Sequence, residues 1–192
     1  MADLKGSKTE KNLLAAFAGE SQARNRYTFF ASKARKEGLE GVAALFEETA
    51  DNEKEHAKVF FRHLQGGTVE ITATFPAGVV GATLDNVKAA AAGEHEEWSV
   101  LYPEAAETAR KEGFPEVAAS FDQIAKVENW HERRYNQLAE RISKGEVFKR
   151  ASKIRWKCRN CGYVAESGEA PSVCPACKHP QAYYEPWTDQ NY

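Results

Sequence analysis

Residues 117–131 read V-A-A-S-F-D-Q-I-A-K-V-E-N-W-H, and residues 42–56 read V-A-A-L-F-E-E-T-A-D-N-E-K-E-H, the same pattern 75 positions earlier. In the later stretch, Val117, Phe121, Ile124, Glu128, His131, Tyr135, Leu138 and Ile142 follow one another at steps of three and four. That is the period of a helix buried along one face. Val42, Phe46, Thr49, Glu53, His56, Phe60 and His63 make the matching stripe in the earlier copy. Each stripe is interrupted at its middle by Glu-x-x-His, a charged group where an apolar one is expected.

Outward from these two stretches the repeat continues, since A-R-K-E-G occupies both 34–38 and 109–113. Gly38 and Gly113 stand where a helix needs a C-terminal cap, so each copy reads as a helical hairpin. The spacing predicts helices at about 4–36, 40–64, 83–111 and 115–144. Between the hairpins, residues 66–81 hold glycines, Pro76 and β-branched residues that oppose helix. One long crossover between two antiparallel hairpins is the wiring of an all-α, ferritin-like four-helix bundle.

The remaining two helices also carry acid at mid-stripe. The first runs Leu13, Phe17, Glu20, Tyr27, Ala31, Ala34; the third runs Leu84, Val87, Ala91, Glu94, Trp98, Leu101, Ala105, with Glu97 three residues after Glu94. A buried, unpaired carboxylate costs several kcal/mol, and no Lys or Arg shares these central positions. Metal ions would neutralise them. The two Glu-x-x-His pairs and an inward Glu from each other helix form the ligand set of di-iron carboxylate bundles. Five glutamates against two divalent ions leave one negative charge, as do two trivalent ions bridged by oxide. A ferrous pair would favour fewer anionic ligands, so Glu97 and His56 are the candidates to exchange on reduction.

Glu47, Glu48, Asp51, Glu55 and Glu96 lie off the stripes beside Lys54 and Lys58 and read as a solvated face, while His63, His95 and His179 read as packed or capping histidines. Tyr27 and Tyr102 either donate hydrogen bonds to the metal-binding carboxylates or simply pack. Glu20 and Glu94 differ by 74 positions but Tyr27 and Tyr102 by 75. The third helix has therefore gained a residue between Glu94 and Tyr102, which predicts a π-bulge there.

Residues 146–192 form a second, small and mainly β region holding all four cysteines, against 1–145 for the bundle. C-R-N-C-G-Y begins at Cys158 and C-P-A-C at Cys174. Two such knuckles bring four thiolates to tetrahedral corners, for zinc or one iron, and Trp156, Tyr163, Tyr184 and Trp187 are the expected core. Lys149, Arg150, Lys153, Arg155, Lys157 and Arg159 form a basic run, solvated or able to meet an acidic partner.

The whole chain of 192 residues is 42% hydrophobic and 28% charged with net charge −2, which fits a globular protein and argues against nucleic-acid or membrane-surface binding. Neither a leader nor an apolar run of membrane-spanning length is read, so a cytoplasmic location with reduced cysteines is expected.

A mid-bundle Glu/His set followed by C-x-x-C-G-Y…C-P-x-C resembles the rubrerythrin family along essentially the whole chain. The resemblance implies a di-iron site at Glu20, Glu53, Glu94, Glu97, Glu128, His56 and His131, its two irons bridged by oxide, hydroxide or carboxylate. It implies one rubredoxin-type iron at Cys158, Cys161, Cys174 and Cys177, and reduction of hydrogen peroxide to water in oxidative-stress defence. No G-x-G-x-x-G occurs, so electrons are expected from an external NAD(P)H-linked reductase or rubredoxin. Glu128 and His131 lie about 20 Å of helix rise before the last helix ends, which favours a head-to-tail homodimer in which one chain's cysteine iron serves another chain's bundle. The competing readings are a ferroxidase or iron-handling protein and a zinc-stabilised, non-enzymatic interaction module.

Overall fold

The computed structural model describes residues 3–188. Residues 1–2 and 189–192, at the outer ends of the two expected domains, lie outside the described residues.

Helix α1 spans Lys8–Lys36 and α2 spans Glu40–His63. α1 starts later than periodicity alone suggests because Ser7 caps it: its hydroxyl accepts the Glu10 N–H at 3.0 Å, and the Glu10 carboxylate accepts the Gly6 N–H at 2.7 Å. The second hairpin comprises α3 (Thr83–Glu96), a π-helical segment (Glu97–Leu101), α4 (Tyr102–Lys111) and α5 (Pro115–Ser143). Both hairpin turns close alike. Leu39 N–H donates to the Ala34 carbonyl at 3.0 Å and Phe114 N–H to the Ala109 carbonyl at 2.8 Å. Each bond spans a glycine with positive φ, +76° at Gly38 and +84° at Gly113.

The two hairpins also cap each other reciprocally. The Glu37 carboxylate accepts the Thr83 N–H at 3.0 Å. The Glu112 carboxylate accepts the Thr9 hydroxyl at 2.7 Å, the Thr9 N–H at 2.8 Å and the Lys8 N–H at 3.2 Å. These bonds hold both carboxyls below the usual range. Replacing Glu37 or Glu112 by alanine is expected to cost about 1 kcal/mol each, as loss of a helix cap does. Urea unfolding checks this as a lowered midpoint at unchanged slope.

The π segment absorbs the extra residue of the third helix, with the Tyr102 N–H reaching back to the Glu97 carbonyl. It also corrects the expected stripe: Leu101 turns out to be 46% exposed, while Tyr102 beside it is buried at 3%. Five-residue spacing rotates everything after Glu97 relative to an unbroken α-helix, so the inward position passes from one residue to the next.

Two apolar clusters fill the bundle. One gathers Tyr27, Phe30, Phe46 and Tyr135; the other gathers Leu13, Phe60, Tyr102 and Phe121. On α1, α2 and α5 the clusters are separated in sequence by Glu20, by Glu53 and His56, and by Glu128 and His131. The acidic layer therefore lies between two greasy ones. No helix of the described residues is long and apolar enough to cross a membrane.

The C-terminal region is a three-stranded antiparallel sheet, β1 (Lys149–Cys158), β2 (Val164–Glu169) and β3 (Tyr184–Trp187), with β1 central. Its core is Trp156, Cys158, Ala170, Cys174 and Tyr184, and the Trp156 indole donates to the Ser167 carbonyl at 3.1 Å. Tyr163, expected in this core, is 39% exposed because it follows the tight knuckle turn at Gly162. Trp187 is half-buried, with the Lys157 ammonium 4.2 Å from its ring centre. Part of the basic run is neutralised locally: Lys157 and Arg159 pair with Glu185, and Lys149 with Glu169. The sheet rests on the start of α2, where a Cβ at Gly41 would lie 3.7 Å from the Glu185 Cβ.

Candidate metal centres

At mid-bundle, Glu20, Glu53, Glu94, Glu128 and His131 are buried, and the His56 side chain is 12% exposed. They form two groups of four donors. Glu20, Glu53, His56 and Glu128 make one; Glu53, Glu94, Glu128 and His131 make the other, with the donor atoms of each within 4.8 Å of one another. Glu53 and Glu128 belong to both. His56 Nδ1 lies 2.9 Å from Glu128 Oε1, 3.0 Å from Glu53 Oε2 and 3.9 Å from Glu20 Oε1. His131 Nδ1 lies 2.8 Å from Glu128 Oε2, 3.2 Å from Glu53 Oε1 and 3.4 Å from Glu94 Oε2.

Short distances here do not make a satisfied hydrogen-bond network. Both Glu128 oxygens, Glu53 Oε1, Glu20 Oε2, Glu94 Oε2 and His131 Nδ1 are buried without a bond of acceptable geometry. Buried polar atoms are rarely left so. Atoms that crowd together yet aim past one another fit convergence on shared cations, and the carboxylate and imidazole set suits iron or a similar divalent ion. Among the described residues, no Lys or Arg forms an ion pair with these glutamates.

Charge in this layer is strongly perturbed. Burial, with the charges of neighbouring glutamates added, raises the carboxyls of Glu20 and Glu97 well above the ordinary range and Glu94 to about 8. Burial opposes ionisation of Glu53 too, but the adjacent imidazoles of His131 and His56 prevail and hold it at about 2. The surrounding carboxylates overcome burial at both histidines, lifting His56 to about 9 and His131 to about 12. Protons and metal ions compete for the same atoms.

Further groups fix the donors. The Tyr102 hydroxyl donates to Glu20 Oε1 at 2.5 Å, and the Tyr27 hydroxyl donates to Glu94 Oε1. Of the two roles open to these tyrosines, both make the hydrogen bond. His131 Nε2 meets Asn52 Oδ1 at 3.2 Å, which leaves Nδ1 to face the carboxylates. Asn52 escaped the sequence reading because it lies one position off the buried stripe. Glu97 stands apart: it belongs to neither group, is half-buried, and lines a cavity beside the site.

Three of the other acids and the remaining histidines are occupied elsewhere. Glu48 pairs with Arg134, Glu47 with Arg35 and Glu55 with Lys58. His63 meets the Ser120 hydroxyl at 2.9 Å, His95 meets Glu132 at 3.2 Å, and His179 meets the Cys177 carbonyl at 3.2 Å.

At the other end of the molecule the four cysteine sulfurs also lie within 4.8 Å of one another. Cys158 and Cys177 are 3.7 Å apart, as are Cys161 and Cys174. A tetrahedron with metal–sulfur bonds of about 2.3 Å has edges of about 3.8 Å, so the thiolates fit one metal ion. The knuckles are built alike: Gly162 N–H donates to the Cys158 carbonyl at 2.8 Å and Lys178 N–H to the Cys174 carbonyl at 2.9 Å. Cys158 and Cys174 are buried, whereas Cys161 is exposed.

The family profile described as Rubrerythrin matches residues 11–139, and that described as Rubrerythrin, rubredoxin-like domain, matches residues 156–185. The chain belongs to the rubrerythrin family. It is 65% identical to a rubrerythrin of Porphyromonas gingivalis over 95% of this chain and 92% of that one. It is 52% identical to a rubrerythrin of Nitratidesulfovibrio vulgaris over 96% and 97% of the two chains. Among solved structures, fully reduced, all-ferrous nigerythrin superposes with a TM-score of 0.63 at 29% identity, covering 97% of this chain and 92% of that one. Fold, family and cofactor type agree: a ferritin-like bundle with a di-iron carboxylate site, and a rubredoxin-like domain with a four-cysteine site. Rubrerythrins are di-iron oxidoreductases of oxidative-stress defence.

Proposed function

We propose that this rubrerythrin-family protein is a peroxide reductase that converts hydrogen peroxide and two protons, with two electrons, into two molecules of water. A ferrous pair bound in the bundle would supply both electrons together, which would avoid releasing a radical. In this reading residues 1–145 form the catalytic bundle and 146–192 the electron-relay domain. Glu20, Glu53, Glu94, Glu128, His56 and His131 hold the iron pair, and Cys158, Cys161, Cys174 and Cys177 hold the single iron.

The observation that carries the proposal is one spare carboxylate beside two complete donor groups. Glu97 sits outside both groups yet faces the cavity, while His56 completes one of them. Glu97 and His56 would be the two residues that trade places as donors, Glu97 offering a negative group to the oxidised pair and His56 a neutral one to the reduced pair. The hydroxyls of Tyr27 and Tyr102 pin one oxygen of Glu94 and Glu20 through the cycle. Glu97, whose pKa burial raises, can carry a proton at the cavity wall.

The four cysteines would hold an iron that passes electrons singly from an external NAD(P)H-linked reductase or rubredoxin. The domain rests at Gly41, and Glu53 and His56 lie roughly 20 Å of helix rise further along α2. Such a gap favours transfer to the bundle of a second subunit in a head-to-tail homodimer. A reducing cytoplasm would keep the four thiols available for iron.

Anaerobic reduction followed by stopped-flow mixing tests the reading. Peroxide is expected to reoxidise the iron pair at least about a hundredfold faster than dioxygen, a barrier difference of about 2.7 kcal/mol. Faster reaction with dioxygen would favour a ferroxidase, and zinc at the cysteines a structural module.

A further inference from the structure

We propose that Phe75 and Gly19 together form a size filter over the bundle's metal-binding layer, limiting the oxidant that reaches it to a molecule as small as hydrogen peroxide. The inference rests on the proposed peroxide chemistry and adds the substrate limit that chemistry leaves open. A cavity of about 500 Å³ lies between α1 and the third helix and is roofed by residues 72–76 of the crossover. Glu97 and Tyr102 line it on one side, and Gly19 and Arg26 on the other.

Gly19 is the place in the cavity wall where Phe75 and Glu97 both come close to α1. A Cβ built there would lie 3.7 Å from Phe75 Cε1 and 4.0 Å from Glu97 Oε1, so the aromatic ring and the carboxylate both come within 4.0 Å of one position on α1. That position is one residue before Glu20. Phe75 is 39% exposed, with its Cε1 edge turned to the Gly19 position. Helix formation gives no reason for glycine here, since glycine in a helix interior is destabilising relative to alanine. Its lack of a side chain leaves a passage between Phe75 and Glu97 that an alkyl or aryl group attached to the peroxide would have to share.

The test uses the full metal-loaded protein with Phe75→Ala and Gly19→Ala. A methyl at residue 19 meets only ordinary van der Waals contacts, so this variant should fold. The readout is the ratio of reoxidation rates for hydrogen peroxide and cumene hydroperoxide. Phe75→Ala is expected to lower that preference by roughly tenfold, the scale on which apolar pockets discriminate by size, and Gly19→Ala to raise it. A second readout is independent of turnover: the rate at which the chelated protein takes up zinc, followed with a chromophoric indicator. Phe75→Ala should speed uptake and Gly19→Ala slow it. A preference unmoved by either substitution, or a parent protein indifferent to peroxide size, overturns the filter. Should the iron react with neither peroxide, the proposed function fails on its own. In that case zinc uptake decides alone: opposite shifts in the two variants uphold the restriction at this passage, and unchanged uptake ends it.

Discussion

Substituting glutamine for Glu128 is expected to weaken metal binding at both bundle positions at once, while the same change at Glu97 leaves both occupied. Glu128 offers one oxygen to each histidine-centred group, 2.9 Å from His56 and 2.8 Å from His131, so a single substitution removes a charged donor twice. Loss of an outer hydrogen-bonding partner costs roughly 10–100-fold in metal affinity. Loss of a shared carboxylate should exceed that, more than about a hundredfold at each position. Metal per chain after equilibration against a competing chelator measures it.

The metal-free bundle should weaken as well. Glu128 lies 2.9 Å from His56 and 2.8 Å from His131, two imidazoles that the surrounding carboxylates keep protonated at neutral pH, so Glu128→Gln leaves buried cations with less compensation and should lower the melting temperature of the chelated protein. Glu97→Gln, by contrast, keeps two metals per bundle and slows reoxidation by peroxide. Equal metal loss in the two variants would show that the groups do not share Glu128.

The donor set was legible because its residues break a pattern the chain otherwise keeps. On α5, apolar residues recur at every third or fourth position except at Glu128 and His131, and the 75-residue repeat shows the same break at Glu53 and His56. The bulge was legible for a related reason, since the repeat offset changes by one between Glu94 and Tyr102. Its effect on Leu101 was not. Helical period placed Leu101 inward, and only the π segment, by rotating the helix beyond Glu97, exposes it and buries Tyr102.

Contacts between distant segments left less trace. Glu37 and Glu112 look like ordinary end-of-helix acids, and their role depends on how one hairpin lies against the other. Asn52 meets His131 across two helices from a position adjacent to the buried stripe. Residue type alone places Tyr163 in the small core, whereas the knuckle turn at Gly162 points it outward. Local period finds what one element buries; it is blind to which neighbour arrives.

Placing zinc at the four cysteines while keeping iron in the bundle should abolish sustained turnover and spare the first reaction with peroxide. Zinc and iron make similar tetrahedral thiolate sites, so the 3.7 Å sulfur pairs and the sheet around Trp156 should persist. A cysteine substitution would be less informative. Cys158 and Cys174 belong to the apolar core of a small region whose folding draws on metal ligation, and losing either would disturb structure and redox function together. Zinc removes only the redox step, because it has a single accessible oxidation state.

Single-turnover reoxidation of the chemically reduced bundle should therefore stay within about twofold of the all-iron protein, while steady-state turnover with a reductase falls more than about a hundredfold. Mixing zinc-substituted chains with chains whose bundle lacks iron carries the test to the assembly. If the cysteine iron of one subunit serves the bundle of the next, mixed dimers regain turnover that neither parent shows, and dilution below the dimer's dissociation constant removes it again. Retained steady-state turnover in the zinc-substituted protein would mean that electrons reach the bundle directly, and the cysteine domain would then be a structural element.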